Sequence, residues 1–189
     1  MKKQIILFIA ALPIFFILAC SENTTPKPHG YIRITFPEKK YDKFIQPEYE
    51  FDKPVYTQTE NAAVNGEKGW INLCFPQMNA KIHLSLKKIN NNFDTLIDDA
   101  HTMAYKHAVK ADAIESKAYE NDSANVFGLM YDIKGNVASP IQFFLTDSSK
   151  YFLRGSLYFN FVPDKDSLEP SVNFIRQDIE KIFETIRWK

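Results

Sequence analysis

The stretch that decides the fold is Ala80-Lys81-Ile82-His83-Leu84-Ser85-Leu86. Apolar and polar residues alternate along it, which is the pattern of a β-strand with one buried and one exposed face. Its even-numbered residues, Ile82 to Leu86, are expected to face a core, and its odd-numbered residues, Lys81 to Ser85, are expected to face solvent. We therefore interpret His83 as a surface imidazole.

Further elements surround this strand. Tyr31–Phe36 also alternates and predicts an earlier strand, whereas the proline-containing stretch Gln46–Val64 predicts short edge strands and loops. Trp70–Phe75 predicts a strand that Pro76 stops. Apolar residues then recur at helical spacing, which predicts an amphipathic helix over Phe93–Val109 with an asparagine as its N-cap.

Three more strands are predicted in the second half of the chain, at Val126–Tyr131, Ile141–Leu145 and Tyr151–Phe161. Turn residues separate them, so they are expected to form an antiparallel meander. The last of the three is aromatic on both faces. We interpret it as a central buried strand, and a contact surface is the alternative.

The chain ends in a second amphipathic pattern, from Val172 to Ile186, with Asp166 or Ser167 as the predicted N-cap. Strands, helix, strands and helix in this order predict an α+β domain. Its antiparallel sheet would carry the central amphipathic helix and the C-terminal helix packed on it. This order resembles the α-β-α sandwich of PsbP-type lumenal proteins.

The first twenty residues have the pattern of a sorting signal. Two lysines precede the uninterrupted apolar run Ile5–Ala19. At about 1.5 Å per residue, this run is too short to cross a hydrocarbon core of roughly 30 Å, although a short anchor helix is an alternative. Ile17-Leu18-Ala19-Cys20 resembles the bacterial lipobox, which implies cleavage before Cys20. The resemblance also implies diacylglycerol on the Cys20 thiol and an N-acyl chain, such as palmitate, on its amine.

These features divide the chain into a signal peptide (1–19), a lipidated cysteine with an extended tether (20–30) and one domain (31–189). The whole chain has 23 basic and 23 acidic residues. Removal of the signal also removes Lys2 and Lys3, which leaves 21 basic against 23 acidic. This balance argues against a nucleic-acid partner. With Cys20 acylated, Cys74 has no disulfide partner, and we interpret it as a buried, inert thiol.

Motifs for nucleophilic, phosphate-binding or metal chemistry are absent from the sequence. The strongest remaining pattern is Asp98 and His101, three residues apart on the first helix, with Asp94 one turn earlier. It is compatible with an acid–base pair or a metal site, but a solvated helix face is the favoured interpretation. His107 falls on the apolar stripe and is interpreted as a core histidine.

Six segments match one lipoprotein family in order: Pro26–Ile34, Gly69–Asn72, Ala104–Asp112, Gly135–Asp147, Leu153–Phe159 and Ile179–Lys189. On these segments the chain resembles the gliding-motility lipoprotein GldD family of Bacteroidota. The resemblance implies a cell-envelope lipoprotein required for gliding and linked to the type IX secretion apparatus. It implies no known enzymatic activity and no cofactor beyond the lipids on Cys20. Matching positions are candidate partner or ligand contacts: Trp70, Tyr105, Lys106, His107, Asn136, Gln142 and Tyr158.

The favoured hypothesis is thus a non-enzymatic structural or assembly factor. Its partners would be the membrane, through the anchor, and other gliding and secretion envelope proteins, with no small-molecule substrate. Exposed faces of the meander and loops around Gly135-Asn136 are the predicted contact surfaces. Because Ser21 follows Cys20, inner-membrane retention is not signalled, and we expect an outer-membrane protein facing the periplasm. The alternatives are a periplasmic hydrolase using Asp98 and His101, and a module that binds an apolar ligand inside the sheet–helix sandwich.

Overall fold

The computed structural model of the protein describes residues 35–62, 69–106, 108–160, 162 and 164–189. All of these lie in the second of the two units into which the chain divides, residues 32–189. Cys20, the tether and His107 lie outside the described residues, so the interpretations given for them stay predictions.

Most of the described chain is β-structure. The strands are β1 (Tyr41–Ile45), β2 (Tyr49–Pro54), β3 (Gln58–Asn61), β4 (Trp70–Phe75), β5 (Ala80–Lys88), β6 (Ala111–Asn121), β7 (Val126–Gly135), β8 (Ile141–Thr146), β9 (Tyr151–Phe159) and β10 (Arg187–Trp188). The α-helices are α1 (Phe93–Tyr105) and α2 (Lys165–Thr185). The larger sheet has the order β3-β4-β5-β9-β8-β7-β6, and a smaller sheet has the order β1-β2-β10. All pairings between neighbouring strands are antiparallel, as predicted.

The two helices lie on opposite faces of the seven-stranded sheet. On one face, the apolar stripe of α2, from Val172 to Ile186, joins the main core. On the other face, Leu96, Ala100 and Ala104 of α1 pack with aromatic side chains of β7, β8 and β9 in a second, smaller core. The predicted α-β-α arrangement is therefore confirmed.

The central strand is β9, which is fourth of the seven. Phe152, on the face covered by α1, is 2% exposed to solvent, and Leu153, on the face covered by α2, is 0% exposed. Both faces of the strand are therefore buried. This confirms the interpretation as a central buried strand, although the strand ends at Phe159. Gly155 is required here because the Phe143 ring occupies the place that a Cβ atom would take.

The smaller sheet joins both ends of the described chain to the main core. Its middle strand, β2, contributes the fully buried Tyr49 and Phe51 to the core that α2 forms with the larger sheet. β1 pairs along one edge of β2, and β10 pairs along the other.

A buried carboxylate ties the first described residues to α2. Asp178 is 0% exposed and accepts hydrogen bonds from Lys39 Nζ (2.7 Å), Tyr41 OH (2.9 Å) and Tyr56 OH (2.8 Å). Burial, together with the charge of Asp178, raises the pKa of both tyrosines, so their hydroxyls remain donors. Burial lowers the pKa of Lys39, an effect that the Asp178 carboxylate opposes. The carboxylate is thus compensated by three donors, as a buried charge must be.

Several predicted boundaries were wrong. The strand expected at Tyr31–Phe36 falls mostly outside the described residues, and its last two residues belong to no strand. β1, at Tyr41–Ile45, was not predicted. β6 was not predicted at all, because this edge strand is mostly exposed and lacks a clear apolar alternation. Gln46–Val64 contains β3, an edge strand as predicted, but also β2, which is the middle strand of the smaller sheet and not an edge strand.

Both helices also differ from prediction at their ends. α1 stops at Tyr105 instead of Val109. Asn92 does precede α1, but its side-chain oxygen accepts a hydrogen bond from the backbone N–H of Asn90 instead of capping the helix. The N-cap of α2 is Asp164, whose side chain accepts from the Asp166 amide. The predicted start was late because the residues before Pro170 are mostly exposed and show no apolar period.

Candidate functional site

One region of the sheet is polar although it belongs to central strands. It lies on the same side as α1, beyond the aromatic side chains that α1 covers. We call this region the open face, and its residues are Trp70, Asn72, Lys81, His83, Ser85, Gln142, Arg154, Ser156 and Tyr158. The strand alternation that buries their neighbours toward α2 places these side chains on the opposite side.

Strand register brings these residues into rows across the sheet. One row joins Trp70, Ser85 and Arg154. The next joins Asn72, His83, Ser156 and Gln142, and the third places Lys81 opposite Tyr158. Side chains directly opposite each other on neighbouring strands have Cβ atoms about 5 Å apart, so each row forms a continuous surface.

His83 is held by its neighbours on this face. Its Nδ1 lies 2.7 Å from Asn72 Oδ1, and because that oxygen only accepts, Nδ1 is the donor. The Tyr158 ring meets the imidazole edge to face, with 5.4 Å between ring centroids. Partial burial and the positive charge of Lys81 lower the pKa of His83, so a neutral ring is favoured.

Arg154 is the most unusual residue of the open face. It is half-buried, and its Nη2 donates to Oε1 of the buried Gln142 at 2.6 Å. Burial lowers the pKa of the guanidinium, which nevertheless stays charged at any physiological pH. Among the described residues, no carboxylate forms an ion pair with it.

Two cavities open along this face. One, of about 110 Å³, lies between Trp70, Ser85, Arg154 and the α1 residue Met103. The other, of about 290 Å³, lies at the far end of the same strands and includes Lys81, His83, Tyr158 and Asn160 in its lining. The face therefore offers two recesses whose walls combine polar, aromatic and aliphatic side chains.

Some predicted contact residues come together, and others do not. Trp70, Gln142 and Tyr158 share the open face. Tyr105 lies at the end of α1, where its ring meets that of Tyr131 edge to face at 6.4 Å. Lys106, which follows it, is exposed.

Asn136 lies elsewhere, in the loop before β8. Its Oδ1 accepts from the backbone N–H of Lys165 at 2.9 Å, so it fixes the first residue of α2. Nearby is a cavity of about 260 Å³ whose lining includes two ion pairs. Arg176 contacts Asp132 at 2.7 Å, and Lys165 contacts Asp112 at 2.6 Å.

The pattern proposed for acid–base chemistry is not assembled on α1. His101 stacks on Tyr105 with 4.2 Å between ring centroids, and its Nδ1 lies 3.5 Å from the Tyr131 hydroxyl. Within the described ranges, neither Asp98 nor Asp94 contacts His101, and all three side chains are exposed. The described residues contain no group of three or more side chains able to hold a metal ion.

Sequence reasoning missed Arg154, Asn72 and Ser156. The exposure of His83 was predicted correctly, but its place beside Asn72 and Tyr158 was not. Strand alternation gives the face of each residue, whereas the neighbours across strands depend on register, which a single strand does not encode. Cys74 is a buried free thiol as predicted, and burial raises its pKa. No helix in the described part of the chain is long and apolar enough to span a bilayer.

An antiparallel sheet with one helix on each face, in this chain order, defines a PsbP-like α-β-α sandwich. The fold is similar to the solution structure of cyanobacterial PsbP (CyanoP) from Synechocystis sp. PCC 6803, with a TM-score of 0.51 and 10% identity over 86% of this chain and 99% of that one. No curated protein matches the chain in sequence. The family model described as gliding motility lipoprotein GldD matches residues 21–188. The protein therefore belongs to the GldD family of gliding motility lipoproteins, which are membrane-anchored proteins of the cell envelope.

Proposed function

We propose that this lipoprotein is a non-enzymatic assembly factor of the gliding machinery and is associated with the type IX secretion apparatus. It is held by the acyl chains on Cys20 in the outer membrane, with its domain in the periplasm. Family membership and the lipobox pattern support the anchored role. Glu22 is the one acidic residue in the tether that follows Cys20, and this low acidic content supports the periplasmic orientation.

The observation that carries the binding role is the open face. Most of its side chains lie on the central strands β5 and β9, which pair over nine residues, and the others lie on the neighbouring strands β4 and β8. Trp70, Tyr158 and Arg154 are residue types enriched at protein interfaces, where one or two of them supply most of the binding energy. A rigid surface of this composition is suited to holding a partner protein.

Anchoring is tested by exporting the protein with and without its lipid. Cys20→Ala, placed behind an ordinary cleavable secretory signal, is expected to move the protein from the membrane to the soluble periplasmic fraction and to abolish gliding. The matched control carries Ser21→Ala behind the native signal and is expected to stay in the membrane and to glide. Normal gliding by the soluble protein would contradict the proposal.

Partner binding is tested by photo-crosslinking in cells. A photoreactive phenylalanine analogue at position 70 or 158 is expected to capture envelope proteins of the gliding or secretion machinery. The matched control places the analogue at the exposed position of Glu115 on edge strand β6. Equal capture from all three positions, or no capture from positions 70 and 158, would contradict a binding role for the open face.

A further inference from the structure

We propose that the open face binds an acidic, extended segment of a partner protein, with one aspartate or glutamate carboxylate paired to Arg154. The inference rests on the proposed assembly function and names the chemistry of the partner. Three independent features of the described residues support it: an uncompensated cation, the balance of charge around it, and the spacing of the two cavities.

The cation is Arg154. Removing a charge from water is costly, and charges inside proteins are normally paired. Arg154 is half-buried, yet its only described hydrogen bond uses one of five N–H donors, toward Gln142. That bond fixes the plane of the guanidinium and leaves other donors available. A planar fork of N–H donors matches a carboxylate in two parallel hydrogen bonds.

The surrounding charges favour an anion. Lys81 is neutralised by Glu60, with 2.9 Å between Nζ and Oε2. Lys87 of β5 lies on the same side of the sheet as Arg154 and forms no ion pair with any described residue. The one acidic side chain that borders the smaller cavity is the exposed Asp99 of α1, which leaves an excess of positive charge there.

The cavities favour a polypeptide over a single small anion. The cavity beside Arg154 holds about 110 Å³, roughly the space of four water molecules, which suits one short acidic side chain. The second cavity is lined by His83, two residues from Ser85 along β5, and by Lys81 and Tyr158, four residues from Ser85 and Arg154 along β5 and β9. At about 3.3 Å per residue, these separations are roughly 7–13 Å, so an extended segment of three to five residues reaches from one cavity to the other.

The test uses the full mature lipoprotein in detergent and two synthetic ten-residue peptides. In one peptide every second residue is Gly and the residues between are Asp or Glu. In the other peptide, each Asp is replaced by Asn and each Glu by Gln. We expect the acidic peptide to bind at least about tenfold more tightly, since hydrogen bonds to charged groups are the strong ones. Arg154→Gln is expected to remove this difference. Lys117→Gln, the same charge change on edge strand β6, is expected to preserve it.

A second variant keeps the test decisive if Arg154→Gln does not fold. Ser85 lies directly opposite Arg154, so Ser85→Glu supplies an internal carboxylate to the guanidinium. It is expected to abolish binding of the acidic peptide and to raise the midpoint of chemical denaturation. Unchanged peptide binding in Ser85→Glu would overturn the proposal.

Two further results would also overturn it. One is equal binding of both peptides by the unmodified protein. The other is Arg154-dependent binding to phosphatidylglycerol vesicles with no binding of the acidic peptide, which would assign the face to lipid. Either result would refute the acidic-segment proposal alone, and the proposed assembly function would still be supported if Cys20→Ala abolishes gliding. Conversely, gliding without the anchor would refute that function without changing the peptide result.

Discussion

The two faces of the seven-stranded sheet are built from the same strands but bear opposite kinds of side chain. Toward α2, residues such as Leu84, Phe143 and Leu157 are at most 2% exposed and belong to one apolar core. Toward α1, that apolar character continues only over β7, β8 and the start of β9. The remainder is the open face, where polar side chains follow one another across four strands.

This difference separates what stabilises the domain from what is available for binding. The contrast is sharpest at two consecutive residues of β9. Gly155 meets the Phe143 ring in the core, and Ser156 lies between His83 and Gln142 on the open face. At Gly155 the core side cannot accept one extra carbon. On the open face, changes of polarity at accessible side chains such as Trp70 and Tyr158 are expected to alter recognition more than stability.

The largest effect is expected on the α2 side, at Asp178. Asp178→Ala removes the carboxylate that pairs with Lys39 and accepts from two tyrosine hydroxyls, and leaves Lys39 only the Phe174 carbonyl as an acceptor, so the free energy of unfolding is expected to fall by about 3 kcal/mol. Chemical denaturation measures this loss of unfolding free energy. The exposed Asp98→Ala on α1 serves as the control and should stay within about 0.5 kcal/mol of the unmodified protein. A comparable loss in both variants would remove the distinction between the two sides.

The next effect compares Gly155→Ala with Ser156→Ala. The added methyl group at position 155 collides with the Phe143 ring, so we expect a loss of about 1–3 kcal/mol in the free energy of unfolding. Ser156 is buried, but Ser156→Ala adds no atom and breaks no side-chain hydrogen bond found among the described residues, so it should cost less than about 1 kcal/mol. The denaturation midpoints of the two variants check this order, and a reversed order would refute the assignment of the two faces.

A smaller effect concerns pH and His83. Its pKa in the folded protein is lowered, so the unfolded chain takes up a proton more readily. The stability that the neutral ring contributes is therefore complete above the unfolded pKa of about 6.5 and is lost as the pH falls below it. His83→Gln should lose less stability than the unmodified protein between pH 7.5 and pH 5.5. Parallel decreases in denaturation midpoint for both proteins would show that His83 does not titrate in this way.

The smallest effect is expected at Arg154. Arg154→Gln removes one hydrogen bond but also relieves an unpaired, half-buried charge, so the free energy of unfolding should change by less than about 1 kcal/mol. Arg176→Gln is the matched comparison, because Arg176 is paired with Asp132 at 2.7 Å and its loss leaves that carboxylate with fewer donors. Stability measurements that rank Arg154→Gln as the more damaging variant would identify Arg154 as a structural residue.

The sequence predicted the central strands well for a physical reason. β4, β5 and β8 are bordered by prolines or turn residues and have strong apolar patterns, so their predicted limits differ from the structure by at most two residues. β6 escaped prediction because an edge strand with polar residues on both faces lacks that signal. The first turn of α2 was not predicted for the same reason, because its residues are mostly exposed and show no apolar period.

The open face was predictable only in part. Alternation along β5 assigned Lys81 and His83 to solvent, and the family resemblance selected Trp70, Gln142 and Tyr158 without relating them to one another. Their proximity arises from the pairing of β5 with β9, strands that are more than sixty residues apart along the chain. Arg154 had no signal of its own, since an arginine in a strand is ordinarily exposed and solvated.

The bond between Lys39 and Asp178 also affects how the domain folds. The two residues are 139 positions apart in the sequence, and β2 obtains its second neighbour, β10, only at residues 187–188. Long-range contacts of this kind require the closure of a large loop before they contribute to stability, which slows folding. A newly made chain therefore cannot complete its core until its final helix is present.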